Sequence, residues 1–569
     1  MAVTSWPQVP VGNRQHTNAA VVIIGAGISG MCVAIDLIRR YNCQNFVIVE
    51  KSSGFGGTWR DNTYPGGCCD IWSHLYSYSF EQNPNWSREY PAQEEILDYL
   101  RSVAAKWNLY RYARFNTAVE GATWDDEEKR WKVSIKVLGG KDSEYNSSYT
   151  MTSDYLVSGM GQLNEPNYPN ILGLDSFEGK MIHSARWDWT YNLEGKRIGI
   201  IGNGATAAQA IPELAELAES LVVFQRTPNW VVPRMDRAIT PLRQKLYNVI
   251  PPVRQLYRAA LMDFRESLHE SISKPGSESA IRTERAHKML METQLPNRPD
   301  LWEKLTPKYP TGCKRVIISD DIFPALGLAN VTLETKAIEA VTPKGIMVKD
   351  KKEYEFDLII LATGFRTVDF MYPLQIMGRK GRSLSDIWKS HARALYGVTV
   401  EDLPNFGMLY GPNTNLGHNS IILMIEMQSR YITTMINTVL NVRKSGKTFA
   451  LTPKTKRVKE FNDQIQGILA KTSFADPRCN SWYKTKDGVV TNNWWGTVVE
   501  YQKTLSVVDW NDYDSDGTAE GLVPTKNTYI GRVVEETRFS MTTAVAILGA
   551  ASLAAGALFF RRRLNAKLL

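Results

Sequence analysis

The first half of the chain alternates short apolar runs with stretches of helical periodicity, which predicts an α/β fold. The uniformly apolar run AAVVIIGAG (19–27) is typical of a strand that is covered on both faces. Apolar positions at helical spacing follow it, and FVIVEK (46–51) then predicts a second strand. The same order of strand, turn, helix and strand returns in KRIGIIGNGATAAQAIPEL and LVVFQRTP. We therefore expect two Rossmann-like units.

The turn after the first strand has the glycine spacing of a dinucleotide-binding site. Gly25 permits a tight turn, Gly27 lets the backbone approach a pyrophosphate, and Gly30 lets the helix pack closely on the strand. The N-terminus of that helix would face the phosphates. Glu50 ends the next strand, twenty residues after Gly30, where a carboxylate can accept hydrogen bonds from ribose hydroxyls.

The second turn repeats the pattern with a different residue at the end of its second strand. Gly202, Gly204 and Ala207 occupy the three turn positions, and alanine is an accepted variant at the third. The strand that follows presents a cation where an acid would meet a ribose hydroxyl; its last residues are Gln225, Arg226 and Thr227. Because a cation suits a 2′-phosphate, this site is expected to bind NADP rather than NAD.

Strand-like runs on either side of the second unit indicate that the first domain is discontinuous. DYLVSGMGQL (154–163) and FDLIILATGF (356–365) resemble the return strands that pass the flavin in flavoproteins with two dinucleotides. Between them, a helical excursion is broken at Pro251 and Pro252. The predicted domains are an FAD domain in two parts (1–180 and 335–450), an NADP domain (181–334) with a helical insert (about 231–305), and a C-terminal extension (451–530) that covers the cofactor cleft.

Composition and charge exclude several classes of protein. The chain has 569 residues with a net charge of +8, of which half comes from four basic residues in its last nine positions. The rest carries no concentrated basic charge, so we expect no nucleic-acid partner. The six cysteines show neither the spacing of a metal site nor the density of a secreted scaffold. We therefore expect no metal and reduced thiols, as in a cytosol-like compartment.

A long apolar segment near the C-terminus predicts a single transmembrane helix. The 22 residues FSMTTAVAILGAASLAAGALFF (539–560) carry no charge, and RRR begins the basic tail (561–569). As a helix they would extend about 33 Å, enough for a hydrocarbon core of about 30 Å. A buried terminal helix is the alternative. Because the chain lacks a signal peptide, we expect a tail anchor with the catalytic part in the cytosol, although the positive-inside rule favours the opposite orientation.

Two longer patterns resemble the type I Baeyer–Villiger monooxygenases. FEGKMIHSARWD matches the family fingerprint at Phe177, Gly179, His183, Trp187 and Asp188. A second family pattern lies between the two glycine turns and is matched by Gly56, Gly57, Trp59, Tyr64, Pro65, Gly66 and Asp70. The resemblance covers roughly residues 18–510, in the expected order around both turns.

This resemblance implies an FAD- and NADPH-dependent reaction that converts a ketone into an ester or lactone through a C4a-peroxyflavin. It implies that Arg315 is the catalytic cation, that Asp70 holds and tunes it, and that Lys314 binds the 2′-phosphate alongside Arg226. A permanent cation suits this role because it stabilises oxygen anions and does not lose its proton. The apolar C-terminal segment favours a hydrophobic ketone, such as a terpenoid, a steroid or a polyketide-like compound.

The resemblance also implies two sets of cofactor contacts. For FAD these are Gly25, Gly27, Gly30, Glu50, Gly57, Thr58, Trp59, Asp70, Tyr76 and Val119. For NADP they are Cys68, Cys69, Asp70, Gly202, Gly204, Thr206, Gln209, Arg226, Thr227, Lys314, Arg315 and Trp482. The fingerprint segment is expected to be a hinge that couples the two domains, with His183 as a structural anchor rather than an acid or base.

Two other functions are compatible with the same turns. A related flavin monooxygenase would oxidise nitrogen or sulfur or hydroxylate its substrate, but the Trp187–Asp188 pair and the Asp70 and Arg315 positions argue against it. A non-catalytic, membrane-tethered nucleotide-binding protein is disfavoured by the intact glycines and by Lys314.

Overall fold

The computed structural model describes residues 16–139 and 147–533. The predicted transmembrane helix (539–560) and the basic tail (561–569) lie outside these ranges. Of the helices inside them, none is both long and apolar enough to cross a bilayer.

The N-terminal strand is the centre of the first sheet. β1 (Asn18–Ile24) lies between β2 (Phe46–Val49) and β6 (Ser148–Ser158) and is parallel to both. Every residue of β1 after Asn18 is buried, as expected of a strand covered on both faces. The other strands are β3 (Ala113–Arg114), β4 (Thr117–Asp125), β5 (Arg130–Val137), β17 (Gln375–Met377) and β18 (Phe406–Met408). The sheet therefore combines two distant parts of the chain.

Two long helices pack together against this sheet. α1 (Ile28–Tyr41) follows the first glycine turn, and α12 (Ile421–Arg443) packs against α1. The Ser429 hydroxyl donates to the Asp36 carboxylate at 2.7 Å, which links the buried faces of the two helices. The shorter helices of this domain are α2 (Thr58–Asp61), α3 (Gln93–Lys106) and α11 (Leu384–Ile387).

The second sheet is entirely parallel, which confirms a second dinucleotide-binding fold. Its strands, in spatial order, are β12 (Val331–Glu334), β9 (Ser220–Phe224), β8 (Arg197–Ile201), β16 (Leu358–Leu361) and β7 (Lys180–His183). The helices α4 (Ala205–Leu217) and α10 (Ile322–Leu326) pack against it.

The position of β16 corrects one prediction. FDLIILATGF was assigned to the flavin sheet, but β16 lies between β7 and β8 in the second sheet. A fully buried parallel strand is apolar in either sheet, so the local pattern does not show which sheet it joins. The fingerprint segment likewise contributes an edge strand, β7, rather than only connecting the domains.

The predicted helical excursion is present as five helices. α5 (Pro241–Val249) ends just before Pro251, and α6 (Pro251–Ser267) begins with it. Proline suits this first helical position because its missing N–H has no partner in a helix start anyway. The remaining helices are α7 (His269–Ser273), α8 (Glu278–Gln294) and α9 (Pro299–Leu305).

The C-terminal extension packs onto the region between the two sheets. The Thr367 hydroxyl donates to the Trp482 carbonyl at 3.0 Å, and the Trp494 amide donates to the Asn415 carbonyl at 2.9 Å. Its elements are β19 (Ala450–Pro453), α13 (Thr455–Leu469), α14 (Val498–Leu505), β20 (Val507–Val508), β21 (Tyr513–Asp516) and β22 (Thr528–Tyr529). The remaining short strands are β10 (Val231–Val232), β11 (Ile317–Ile318), β13 (Ile338–Val341), β14 (Gly345–Val348) and β15 (Glu353–Glu355).

A disulfide also ties this extension to the second unit. Cys313 and Cys479 are bonded, with Cα atoms 6.4 Å apart and a sequence separation of 166. The prediction that all cysteines are reduced is therefore wrong for this pair. No local spacing marks two cysteines so far apart, because the fold brings them together.

Candidate active site

Close backbone contacts explain the glycines of the first turn. Gly25 adopts a φ of 98°, which disfavours other residues. A Cβ on Gly30 would lie 1.9 Å from the Gly25 carbonyl oxygen, so only glycine lets α1 pack there. A Cβ on Gly57 would lie 2.8 Å from the Gly27 Cα, which shows that the loop of the second family pattern touches this turn.

Glu50 stabilises the same turn through its carboxylate. Its Oε2 accepts a hydrogen bond from the Ala26 amide at 2.6 Å, and its Oε1 accepts from the Ser52 amide at 2.7 Å. Burial raises the pKa of Glu50 above its ordinary value, although both amide bonds oppose the shift. Each oxygen retains a lone pair for a ribose hydroxyl, and the residue lines the adjoining cleft.

A cleft of about 410 Å³ runs from the first glycine turn to the start of α4. It brings together most of the predicted cofactor contacts: Gly25, Gly27, Glu50, Gly57, Thr58, Trp59, Cys68, Cys69, Asp70, Tyr76, Val119, Thr206, Gln209, Arg315 and Trp482. Gly30 serves packing instead. The residues that lie outside this lining, at the second turn and beyond it, are Gly202, Gly204, Arg226, Thr227 and Lys314.

An arginine–carboxylate pair lies on the wall of this cleft. Arg315 donates to both Asp70 carboxylate oxygens, through Nε to Oδ2 and through Nη2 to Oδ1 at 2.7 Å. Its Nη1 donates to the Leu416 carbonyl at 3.0 Å. Burial by itself would lower the pKa of Arg315, but the charge and hydrogen bonds of Asp70 outweigh it and raise that pKa. The guanidinium is thus a fixed cation in a set orientation.

The charge of Arg315 also determines the state of its partner. Burial raises the pKa of Asp70, but the Arg315 charge and hydrogen bonds are stronger and leave it below the ordinary value. Asp70 is therefore an anion at neutral pH. Two tyrosines lie beside the pair, and burial raises the pKa of Tyr483 to about 12 against the opposing charge of Arg315. Both Tyr483 and Tyr410 remain neutral phenols near the cation.

A pair of cations lies at the second turn. Lys314 Nζ donates to the Thr227 hydroxyl at 2.6 Å. Burial and the neighbouring charge of Arg226 lower the pKa of Lys314 to about 8. Within residues 16–139 and 147–533, neither Lys314 nor Arg226 forms a salt bridge with an acid. Two adjacent cations without a carboxylate partner provide a site for an anion.

The comparisons with known proteins agree with this arrangement. Residues 18–264 match the model of the flavin-binding monooxygenase-like family. The FAD-binding monooxygenase ktnD of Aspergillus niger is 51% identical over 97% of this chain and 90% of its own length. A Baeyer–Villiger monooxygenase of Streptomyces coelicolor is 39% identical over 88% of this chain and 93% of its own length. The crystal structure of OTEMO with FAD and NADP has a TM-score of 0.76 and 26% identity, and it covers 88% of this chain and 99% of that one.

The chain belongs to the flavin-binding monooxygenase family. It is an enzyme that uses FAD and NADP, and by homology it is of the Baeyer–Villiger type. Its two turns fit these cofactors. A Cβ on Gly204 would meet no heavy atom within 4 Å, which leaves room for a pyrophosphate at the start of α4.

In this monooxygenase the fingerprint segment includes β7, the edge strand of the second sheet. The Nδ1 atom of His183 accepts from the Ala185 amide at 3.1 Å, and its Nε2 lies 3.3 Å from the Thr363 hydroxyl. Burial and the charge of Arg186 lower the pKa of His183 to about 4, so the ring is neutral at physiological pH. Asp188 forms a salt bridge with Lys180 at 2.6 Å. The side chains of Phe177 and Trp187 pack against apolar clusters of the second unit.

Trp189, just after the fingerprint, and Gln209, on α4, both contact the first unit. The Trp189 indole donates to the Thr63 carbonyl at 2.9 Å. Gln209, on α4, accepts from the Tyr64 hydroxyl at 2.8 Å and donates to the Cys68 carbonyl at 3.0 Å. Gln209 was predicted as an NADP contact, and in the structure it also connects the two units.

The sequence indicates that the loop GPNTNLGHNS approaches the flavin, but it does not single out the individual residues that the structure brings to the site. The Tyr410 hydroxyl donates to Asn415 at 2.7 Å, and the Asn415 amide donates to Asn493 at 2.7 Å. These residues belong to the loop GPNTNLGHNS, its neighbour and the C-terminal extension. Only the tertiary fold brings them to the cleft, so spacing along the chain could not have identified them.

Proposed function

We propose that this enzyme is an NADPH-dependent ketone monooxygenase that forms esters or lactones. The balanced reaction takes a ketone, O₂, NADPH and a proton to an ester, NADP⁺ and water. When bound, FAD would accept hydride from NADPH and activate O₂. The protein must then stabilise negative charge on oxygen, orient the ketone and exclude water.

The observation that supports this proposal is the Arg315–Asp70 pair in the cleft. A two-bonded arginine keeps its direction while negative charge develops on the carbonyl oxygen, so it need not reorganise during the reaction. Asp70 accepts from Nε and Nη2, and the Leu416 carbonyl accepts from Nη1. Because Tyr410 and Tyr483 stay protonated, neither neutralises the cation.

The cofactor cleft also supports a hydrophobic ketone. Its lining beyond the flavin turn includes the apolar side chains of Leu374, Leu416, Ile421, Ile425 and Trp482. Such walls suit a bulky apolar substrate of the terpenoid, steroid or polyketide-like type. The binding free energy would come mainly from removing apolar surface from water.

Replacing Arg315 with alanine tests the proposal. Arg315→Ala should retain FAD and its anaerobic reduction by NADPH, but ester formation should fall by about 10²–10³-fold. The consumed NADPH should then appear as hydrogen peroxide. Stopped-flow reduction, peroxide release and product mass separate these steps.

Arg315→Lys is the matched variant, because it keeps a charge but loses the two-bonded geometry. It should restore only part of the ester formation. Normal ester formation by Arg315→Ala would remove Arg315 from the reaction. If the unmodified enzyme oxygenated only sulfides or amines and no ketone, the result would favour the alternative function of a nitrogen or sulfur monooxygenase.

We also propose that residues 539–560 anchor the enzyme to a membrane, with the catalytic part on the cytosolic side. The support is the length of this uncharged segment, which as a helix would extend about 33 Å. Full-length enzyme with a reporter at its N-terminus should sediment with membranes. In intact vesicles, protease added from the cytosolic side should digest the reporter. A variant that ends before residue 539 should be released; a protected reporter would contradict the orientation.

A further inference from the structure

Asp70 is contacted by a second buried arginine in addition to Arg315. Arg265, on α6, donates from Nη2 to the Asp70 backbone carbonyl at 2.9 Å. Its side chain is almost fully inside the protein, with 8% of the residue exposed. Two guanidinium groups and one carboxylate therefore share this position, which leaves the cluster with one net positive charge.

The surroundings of Arg265 do not cancel its charge. The guanidinium carbon lies 4.8 Å from the centroid of the Trp72 ring, an arrangement that stabilises a cation. Its Nε makes no hydrogen bond with any residue in the described ranges, and no carboxylate there forms a salt bridge with it. The neighbouring Glu266 accepts from Asn419 at 2.7 Å, and its Oε1 lies 3.1 Å from the Nε2 atom of His418.

A paired arginine alone would be a weak site for an anion. At the distance of a reacting oxygen, the fields of the Arg315 cation and the Asp70 anion largely cancel. The field of an additional, unpaired charge is not cancelled. Arg265 is buried, so water screens its charge less than it screens the Arg315 and Asp70 side chains, which are 22% and 23% exposed at the cleft. Arg265 supplies the charge that the Arg315–Asp70 pair lacks.

We propose that Arg265 is a positioning residue that acts through Asp70 and gives the Arg265–Asp70–Arg315 cluster its net positive charge. It holds the Asp70 backbone in place and favours negative charge on oxygen and on reduced flavin nearby. This inference deepens the ketone monooxygenation proposed above and rests on it.

Arg258 provides a matched control on the same helix. It is buried more deeply than Arg265, with 1% of the residue exposed against 8%, and it donates to the Ser77 carbonyl at 2.9 Å. The buried carboxylate of Glu426 lies close enough to favour the positively charged form of Arg258. Arg258 therefore tests what is lost when a buried arginine of α6 that forms no hydrogen bond with Asp70 is removed.

The experiment uses the full chain with FAD and compares Arg265→Gln, Arg265→Lys and Arg258→Gln. Glutamine can still donate to the Asp70 carbonyl but carries no charge. Arg265→Gln should lower the reduction potential of bound FAD and raise the ratio of peroxide to ester by about tenfold. Arg265→Lys should keep both values near those of the unmodified enzyme at neutral pH, and Arg258→Gln should leave the potential unchanged.

An unchanged potential in Arg265→Gln, or an equal shift in Arg258→Gln, would overturn the proposal. The reduction potential of FAD is measured without a ketone, so it tests the role of Arg265 independently of ester formation. A failure to form any ester would instead refute the proposed function.

If Arg265→Gln does not fold, Arg265→Lys decides alone. The titratable groups that face position 265 are Asp70, Arg315, Tyr90, Cys69 and His418. A buried lysine beside Arg315 loses its proton more readily than arginine, so its potential should fall faster with pH; parallel pH profiles would overturn the proposal.

Discussion

At the scale of single residues, the site combines charges that are fixed with charges that respond to pH. Asp70 and Arg315 stabilise each other's charged forms, so their charges persist across physiological pH. Lys314 differs, because burial and Arg226 lower its pKa to about 8. The cation that is expected to bind the 2′-phosphate is thus close to losing its proton under mildly alkaline conditions.

This difference predicts how NADPH binding depends on pH. Lys314 is protonated below pH 8 and loses its charge as the pH rises through that value. The Michaelis constant for NADPH should therefore rise above pH 8, whereas that for NADH, which lacks the 2′-phosphate, should change little. Steady-state kinetics with both coenzymes between pH 6.5 and 9.5 would measure this.

Two variants control this prediction. Lys314→Arg should flatten the NADPH profile, because arginine stays charged. Arg226→Ala removes the positive charge beside Lys314, so the rise in the Michaelis constant for NADPH should occur at higher pH. It should also weaken NADPH binding by roughly 10–100-fold. Equal profiles for NADPH and NADH would contradict the assignment of these cations.

At the scale of secondary-structure elements, local pattern was sufficient in some places and not in others. The glycine turns were predicted because each needs a particular backbone, seen in the φ of 98° at Gly25 and 119° at Gly202. The placement of β16 was wrong because its apolar run suits either sheet. Long-range contacts such as Arg265 with Asp70, or Cys313 with Cys479, have no local pattern at all.

The hinge hypothesis for the fingerprint segment predicts that its anchor, His183 at the end of β7, affects coupling between the two domains. His183→Ala should remove the hydrogen bond to the Ala185 amide and the contact with Thr363. Turnover should slow and more NADPH should end as peroxide, while FAD binding persists. Oxygen uptake, peroxide release and flavin absorbance together measure these effects.

His287→Ala is a matched control for this variant. His287 is fully buried and accepts from the Val231 amide at 3.0 Å, outside the fingerprint segment. It should lower thermal stability without uncoupling the reaction. If His183→Ala left turnover and coupling unchanged, the hinge hypothesis would be wrong.

The disulfide fixes the C-terminal extension next to Lys314 and Arg315. Replacing Cys313 and Cys479 by serine opens a loop of 166 residues and should destabilise the protein by up to about 5 kcal/mol. The melting temperature should fall by several degrees. A reductant should lower it in the unmodified enzyme but not in the double variant; the same response in both would show that the bond does not form.

At the scale of the whole molecule, the two Rossmann-like units were predictable and their joint site was only partly so. The backbone conformation of a dinucleotide-binding turn depends on residues that are close in sequence, such as Gly25 to Gly30. The cleft instead depends on α6, α12 and the C-terminal extension, which meet around Asp70 and Arg315. The resemblance to a family supplied Arg315 and Asp70, whereas Arg265 and Tyr483 required the folded chain.

The most direct test of this account is the fate of isotopically labelled dioxygen. Full-length enzyme, NADPH and a series of apolar ketones of increasing size would be incubated with labelled O₂, and the products analysed by mass spectrometry. We predict an ester or lactone that contains one labelled oxygen atom, with the second recovered in water. Unlabelled ester, or NADPH oxidation that gives only peroxide with every ketone, would contradict it.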